Sequence, residues 1–134
     1  MGEEEFDKLM QSLFDEWKFK HVQPNDLHNH FGEYSSKNID WFFNDVIQTT
    51  KKMDYSANKI KNNKLLVKNK GELTSPISVT GFLKNKIIFT FWEDGFTGNK
   101  WIELPEEKFD KVIINYNYNT IDIKTTNNTT KDKK

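Results

Sequence analysis

The residues best suited to chemistry in this sequence are three histidines, His21, His28 and His30, because imidazole can act as a metal ligand or a general base. His28 and His30 are two positions apart, so on a helix they point about 200° from each other and cannot share a metal ion. In an extended segment they could share one. We interpret all three as solvated surface side chains, with a metal site and a local capping or packing role as the alternatives.

Motifs for hydrolytic and redox chemistry are missing from the sequence. It contains no HExxH zinc helix, no GxSxG nucleophile turn, no P-loop and no GxGxxG, and its carboxylates form no obvious catalytic pair. The absence of cysteine excludes disulfides and thiolate metal sites. We therefore expect no catalytic residues, no metal ligands and no cofactor in this chain.

Charge and hydropathy argue against two kinds of partner. Twenty basic and twenty acidic residues give a net charge of zero, whereas proteins that bind along nucleic-acid phosphates carry a positive excess. The segment EWKFKH is basic with interleaved aromatics, but the cationic end of an amphipathic helix explains it better than nucleic-acid binding. The sequence has no run of about eighteen apolar residues, so we expect no membrane span, and the localisation stays open.

Apolar spacing predicts about three helices in residues 1–52. Pro24 suits the first position of the second helix, and Asn38 suits the N-cap of the third. Positions three and four apart form the apolar stripe of the first helix, which comprises Phe6, Leu9, Met10, Leu13, Phe14 and Trp17. The same spacing gives the third helix its expected inner positions, Ile39, Phe42, Phe43, Val46 and Ile47.

The pattern changes near Met53 to short β-type runs separated by turn residues. We predict seven strands, near 53–60, 64–68, 76–83, 86–92, 100–104, 111–116 and 120–123. Strands of this number and spacing favour an antiparallel, immunoglobulin-like β-sandwich over residues 53–126. Residues 127–134 are expected to form a polar tail. The expected fold class is therefore α+β, with the helical segment preceding the sandwich.

The stretch FWEDGFTGNKWIEL, residues 91–104, combines aromatic residues with glycines. We interpret it as a structural hairpin whose turn is formed by Asp94, Gly95, Phe96 and Gly98, since glycine tolerates a positive φ angle. Alternation along the preceding strand predicts that Phe89 and Phe91 share one face and Ile88, Thr90 and Trp92 the other. The alternative is a free-standing module that binds a sugar or peptide through Trp92 and Trp101.

Four stretches together resemble the C-terminal part of M1-type zinc aminopeptidases, the family of aminopeptidase N and leukotriene A4 hydrolase, and especially its bacterial members. The first two are WKFKHVQPNDLHNHF and SSKNIDWFFNDVIQTTKKMDY, which resemble the end of the catalytic region and the exit into the next domain. The other two are LVKNKGELTSPISVTGF and WEDGFTGNKWIELP with KVIINYNYNTIDIKTTNN, which resemble a strand pair and the closing segment of the terminal sandwich. The resemblance extends from about residue 13 to residue 128.

The resemblance implies a non-catalytic portion of a peptidase. In this family the HExxH helix, the third zinc ligand, the GxMEN motif and the catalytic tyrosine all precede these stretches, and none is present here. The chain would then pack against the catalytic domain and help to form the wall of the peptide channel, while zinc would be bound elsewhere. The competing interpretation is an independent interaction module that binds a peptide, a protein or a carbohydrate.

The helical segment is expected to carry the interface with the catalytic domain. Trp17, Trp41, Phe42 and Phe43 are the candidate contact residues, because three short helices hold more apolar area than they can bury among themselves. Without the catalytic domain, the same surface would favour self-association.

Overall fold

The computed structural model describes residues 1–132 and divides the chain into two compact units. The first, Met1–Thr49, is helical, and the second, which begins at Thr50, contains the strands. The α+β fold class is therefore confirmed, and the observed division lies close to the expected one between residues 52 and 53.

The helical unit contains the three expected helices, α1 (Glu3–Trp17), α2 (Pro24–Tyr34) and a π-helix (Phe42–Ile47). Helix α2 starts with proline at its first position, and the Gln23 N–H donates to the Asp26 carboxylate at 3.0 Å. Before the π-helix, the Asn38 side chain accepts the Asp40 N–H at 2.8 Å. The start of α2 at Pro24 is therefore as expected, whereas the N-cap of the π-helix is Trp41 and not Asn38.

The apolar stripes of the helical unit are only partly buried. Leu9 of α1 and Phe43 of the π-helix are buried, but Phe14 is 67% exposed. Phe42 and Ile47, which were expected to face inward, are also exposed. The reason is the π-helix itself, because hydrogen bonds between residues five apart rotate side chains away from the stripe that α-helical spacing would form.

The second unit contains seven strands in two sheets. Their bounds are β1 (Tyr55–Lys61), β2 (Lys64–Asn69), β3 (Ile77–Leu83), β4 (Lys86–Glu93), β5 (Asn99–Glu103), β6 (Lys111–Ile114) and β7 (Thr129–Lys131). One sheet has the order β1-β2-β5 and the other the order β4-β3-β6-β7, and every pair of neighbouring strands is antiparallel. The first six expected strands are confirmed to within two residues at each end.

The seventh strand is not where the sequence predicted it. Residues 120–123 form no strand, and only an isolated bridge joins Asp122 to Met53. Strand β7 lies instead inside the expected polar tail and pairs with β6, and Asn128 before it is buried. A short polar edge strand is held by backbone hydrogen bonds, so apolar alternation does not reveal it. Lys133 and Lys134 of the expected tail lie outside the described residues.

The expected hairpin over residues 91–104 is wrong, because its two strands belong to different sheets. Strand β4 pairs with β3, where Phe89 lies opposite Gly81, whereas β5 pairs with β2, where Trp101 lies opposite Leu66. Residues 94–98 therefore form a crossover between the sheets. The Asp-Gly signal correctly predicts a break between two strands but does not determine which strand becomes the partner of each.

Both sheets contribute side chains to a buried apolar set. In β4, Phe89 is buried and Thr90 and Trp92 are exposed, which confirms the predicted alternation at these positions. Strand β3 is buried over most of its length. The fully buried apolar strand positions are Tyr55, Leu65, Val67, Ile77, Val79, Ile102, Val112 and Ile114.

Candidate functional site

In the helical unit, a hydroxyl and a carboxylate lie within hydrogen-bond distance of the two ring nitrogens of one imidazole. His30 on α2 is only 4% exposed, and its Nδ1 lies 3.0 Å from Glu16 Oε2 on α1. Its Nε2 lies 2.8 Å from the Oγ of Ser12, one turn earlier on α1. The His30 ring also packs on Tyr34 with 4.6 Å between centroids. Both ring nitrogens of a buried histidine are thus satisfied by side chains of the other helix.

The Ser12–His30–Glu16 row has the connectivity of a serine activated by a histidine and an orienting acid. Its geometry also fits a link between α1 and α2, because the Ser12 hydroxyl donates to the Leu9 carbonyl at 2.8 Å. When that donation is made, the hydroxyl oxygen can accept a hydrogen bond from His30 Nε2 but cannot donate one to it. We therefore interpret the row as a polar helix–helix clamp and assign no nucleophile to it.

A second histidine is held on the opposite side of α2. His28 Nε2 lies 3.0 Å from Asp40 Oδ1, and its ring stacks on Phe43 with 4.5 Å between centroids and 15° between planes. The prediction that His28 and His30 point apart is confirmed. The prediction of three solvated histidines is wrong for His30, holds for His21, which is exposed, and is met only in part by His28, which is half-buried. Ser12 and Glu16 share one face of α1 because they are four residues apart, but this spacing does not identify the residue of another helix that they contact.

The aromatic residues predicted to form an interface have different environments. Phe43 is buried against His28 and Phe31, so it belongs to the packed interior of the helical unit. Phe42 is exposed and packs edge-on against both Trp41 and Phe43. Trp41 is half-buried. The surface left open around this cluster is therefore carried by Trp41 and Phe42.

Trp17 stands apart from that cluster at the end of α1. It is half-buried, and the Lys20 ammonium lies 5.6 Å from the centre of its ring. Its indole N–H is shielded from solvent and has no hydrogen-bond partner among residues 1–132. The exposed part of Trp17 is therefore the ring and not its N–H group.

The crossover loop 94–98 is fixed by two polar side chains. The Asn69 amide donates to the carbonyls of Leu73 and Phe96, at 2.7 Å in each case. The Tyr55 hydroxyl donates to the Phe96 carbonyl and accepts the Phe96 N–H, both at 3.3 Å. Burial raises the pKa of Tyr55, although the hydrogen bond to Phe96 partly opposes that shift. These bonds satisfy backbone hydrogen-bonding groups of the loop where it passes from one sheet to the other.

The glycines of this loop have two different roles. A Cβ on Gly95 would overlap the Thr74 carbonyl, so the backbone passes too closely there for any side chain. Gly98 has open space around it but a φ angle of +72°, which favours glycine. Phe96 packs edge-on against Tyr55 with 5.2 Å between centroids. Asp94 is exposed. Gly95, Phe96 and Gly98, which were expected to build a hairpin turn, therefore have structural roles in the crossover. Asp94 is the exception.

The two tryptophans proposed as a binding platform lie on different sheets. Trp92 of β4 is 55% exposed, and Trp101 of β5 is 43% exposed. The ammonium of Lys59 lies 5.7 Å from the centre of the Trp101 ring. Both indoles are therefore accessible, but neither belongs to a continuous row of aromatics along one sheet.

Metal and small-molecule sites were sought across residues 1–132. No group of three or more histidine, aspartate or glutamate side chains there is arranged to hold a metal ion. One shallow cleft of about 330 Å³ lies beside the β1–β2 turn, lined by charges of both signs that include Lys61, Glu106, Glu107 and Lys108. No helix in this part of the chain is long and apolar enough to cross a membrane.

No protein family, curated protein or solved structure matches the chain. The likeness to M1 aminopeptidases therefore rests on the four motif stretches alone.

Proposed function

We propose that this chain is the non-catalytic C-terminal portion of an M1-type zinc aminopeptidase, an enzyme that removes N-terminal residues from peptides. The observation that carries the proposal is the incomplete core of the helical unit. Among the residues of that unit, only Leu9, His30 and Phe43 have buried side chains, whereas Phe6, Met10, Phe14 and Phe42 remain exposed. Helices depend on tertiary packing for most of their stability, so such a unit needs a partner surface.

In this proposal the partner is the catalytic domain. Trp17, Trp41 and Phe42 contact it, Phe43 supports them from within, and the strand unit helps to form the wall of the peptide channel. Zinc belongs to the catalytic domain, because three protein ligands and a general base are required and this chain supplies no HExxH helix. The chain alone is therefore not an enzyme and binds no zinc.

The strand unit is proposed to be an immunoglobulin-like sandwich. Each sheet contributes a row of buried side chains, with Leu65 and Val67 in one and Val112 and Ile114 in the other. The 94–98 crossover joins strands of different sheets, as connections in such sandwiches do. The Thr130 hydroxyl donates to the Asn58 carbonyl at 3.3 Å, which links β7 to β1.

Two measurements on the purified chain test this proposal. Incubation with aminoacyl chromogenic substrates and zinc is expected to give no turnover, and metal analysis less than one zinc per chain. Light scattering at rising concentration is expected to show self-association that a Trp41→Ser, Phe42→Ser variant reduces. An Ile121→Ser variant is the matched control, because Ile121 is exposed in a loop of the other unit. Chelator-sensitive turnover, or a strict monomer at every concentration, would count against the proposal.

The exposure of Trp92 and Trp101 favours a second candidate function, a free-standing module that binds a peptide, a protein or a carbohydrate. Titration with oligosaccharides and peptides, followed by tryptophan fluorescence in the wild type and in a Trp92→Phe variant, separates the two functions. Saturable binding that the variant loses would favour the module.

A further inference from the structure

The hydrogen bonds around His30 determine where its protons lie. Its Nδ1 is 3.0 Å from Oε2 of Glu16, and a carboxylate only accepts hydrogen bonds, so Nδ1 carries a proton. Its Nε2 is 2.8 Å from the Oγ of Ser12, which donates its single proton to the Leu9 carbonyl at 2.8 Å. That oxygen can then only accept from the ring. Nε2 therefore carries a proton as well.

A histidine that donates from both nitrogens is a positively charged imidazolium. Burial opposes this charge, because His30 is only 4% exposed. The Glu16 carboxylate offsets the cost, and within residues 1–132 it forms no ion pair with any other side chain. On α2, Tyr34 stacks on the ring, and tyrosine carries no charge near neutral pH. The nearest other carboxylate on α1, that of Asp15, pairs with Lys18.

We propose that His30 is held as an imidazolium in the folded chain near neutral pH, and that this proton locks α1 to α2. Both of its hydrogen bonds are then charge-assisted, which makes each about twice as strong as a bond between neutral groups. Leu9, His30 and Phe43 are the buried side chains of the helices in this unit, so the lock forms a large part of its interior. The inference concerns the helical unit alone and does not depend on the proposed peptidase function.

Loss of the second proton would loosen the lock. Nε2 and the Ser12 oxygen would face each other as two acceptors unless the hydroxyl turned toward the ring and gave up the Leu9 carbonyl. Glu16 would lose the charge that balances it. Because the folded chain binds more protons than the unfolded chain, the stability of the helical unit is greatest in mild acid and falls as the pH rises.

Nitrogen NMR of the imidazole rings tests the proposal on the full chain. Long-range proton–nitrogen spectra of the ¹⁵N-labelled protein distinguish protonated from unprotonated ring nitrogens, and His21→Gln and His28→Gln variants assign the three rings. In the wild type at pH 7, both nitrogens of His30 should be protonated. On titration to higher pH, His30 should lose its second proton later than the exposed His21 does.

Two carboxylate variants make the result specific. Glu16→Gln keeps the side-chain shape but removes the balancing charge, so it should weaken proton binding by His30 roughly tenfold or more. Asp15→Asn is the matched control, because it removes the neighbouring carboxylate, whose partner is Lys18 rather than the ring. It should leave proton binding by His30 nearly unchanged.

Urea denaturation measures the effect on the fold. Between about pH 6 and pH 9, the unfolding constant of the helical unit should rise by roughly five- to tenfold as the lock loosens. His30→Ala should remove most of this dependence on pH, whereas His21→Ala should retain it.

The proposal is overturned if His30 in the folded wild type at pH 7 has one unprotonated nitrogen, since Ser12 would then donate to the ring. It is equally overturned if Glu16→Gln and Asp15→Asn change proton binding by the same amount. The wild-type spectrum requires no substitution, so it decides the protonation of His30 even where a variant fails to fold.

Discussion

Alanine at position 95 should destabilise the strand unit far more than alanine at position 98. A Cβ at Gly95 would overlap the Thr74 carbonyl oxygen and approach the carbonyl carbons of Thr74 and Ser75. All three are backbone atoms, and Ser75 is buried with its hydroxyl bonded to the Met53 sulfur at 3.1 Å. The segment therefore cannot retreat toward solvent. A Cβ at Gly98 meets nothing within 4 Å, and only the positive φ angle opposes it.

The two substitutions differ in magnitude because their causes differ. Forcing a methyl group into packed backbone costs about 1–3 kcal/mol or more. Placing alanine in the left-handed region costs about 1 kcal/mol. For a unit of this size, about 1 kcal/mol lowers the melting temperature by roughly 4–8 °C. We expect a loss of roughly 10–20 °C for Gly95→Ala and roughly 5 °C for Gly98→Ala.

Asparagine separates the two causes further, since it tolerates a positive φ angle but carries a larger side chain than alanine. Gly98→Asn should recover most of the stability lost by Gly98→Ala, whereas Gly95→Asn should be no better than Gly95→Ala. Differential scanning calorimetry of the four variants measures this. Equal losses at both positions, or a neutral Gly95→Ala, would refute the close approach between the loop and residues 74–75.

Three further predictions concern proton binding, the helical clamp and local stability. Because burial raises the pKa of Tyr55 above its unfolded value of about 10, its neutral phenol stabilises the fold fully below that pH. That stability is lost as the pH rises further. Tyr55→Phe should therefore be less stable than the wild type at pH 7 but lose less stability on alkaline titration. Equal losses of unfolding free energy in the two proteins, measured by urea denaturation from pH 8 to 11.5, would contradict this. His30→Ala should lower the unfolding free energy of the helical unit by about 1–3 kcal/mol, measured by urea denaturation, whereas His21→Ala should change it little. Hydrogen exchange should be slow in 86–92 and 111–116 and faster in 1–35, and uniform protection across both units would be the opposite result.

Local signals in the sequence predicted much of the fold. Pro24 marked the start of α2, and alternation at Phe89, Thr90 and Trp92 gave the two faces of β4. These features depend on the conformational preferences of a residue and of its neighbours in sequence, so they can be predicted from the sequence alone.

Features that depend on distant partners were missed. The sequence could not show that β4 and β5 join different sheets, since their pairing is decided by β3 and β2. The position of β7 does not follow from the sequence, because its stability comes from pairing with β6 rather than from apolar side chains. His30 was expected on the surface, since its two partners lie on another helix. The hydrogen bond from Asn127 to Asp54 joins residues that are 73 positions apart.

The measurement that tests the central proposal most directly is the mass of the native polypeptide that carries this sequence. Antibodies raised against the purified chain would isolate it from cells that express the gene, for immunoblotting and peptide mass spectrometry. The proposal predicts a polypeptide much heavier than the 15.9 kDa of this chain, with an HExxH peptide in its upstream part. A native protein of 15.9 kDa alone, with no such peptide, would contradict the proposal and favour an independent binding module.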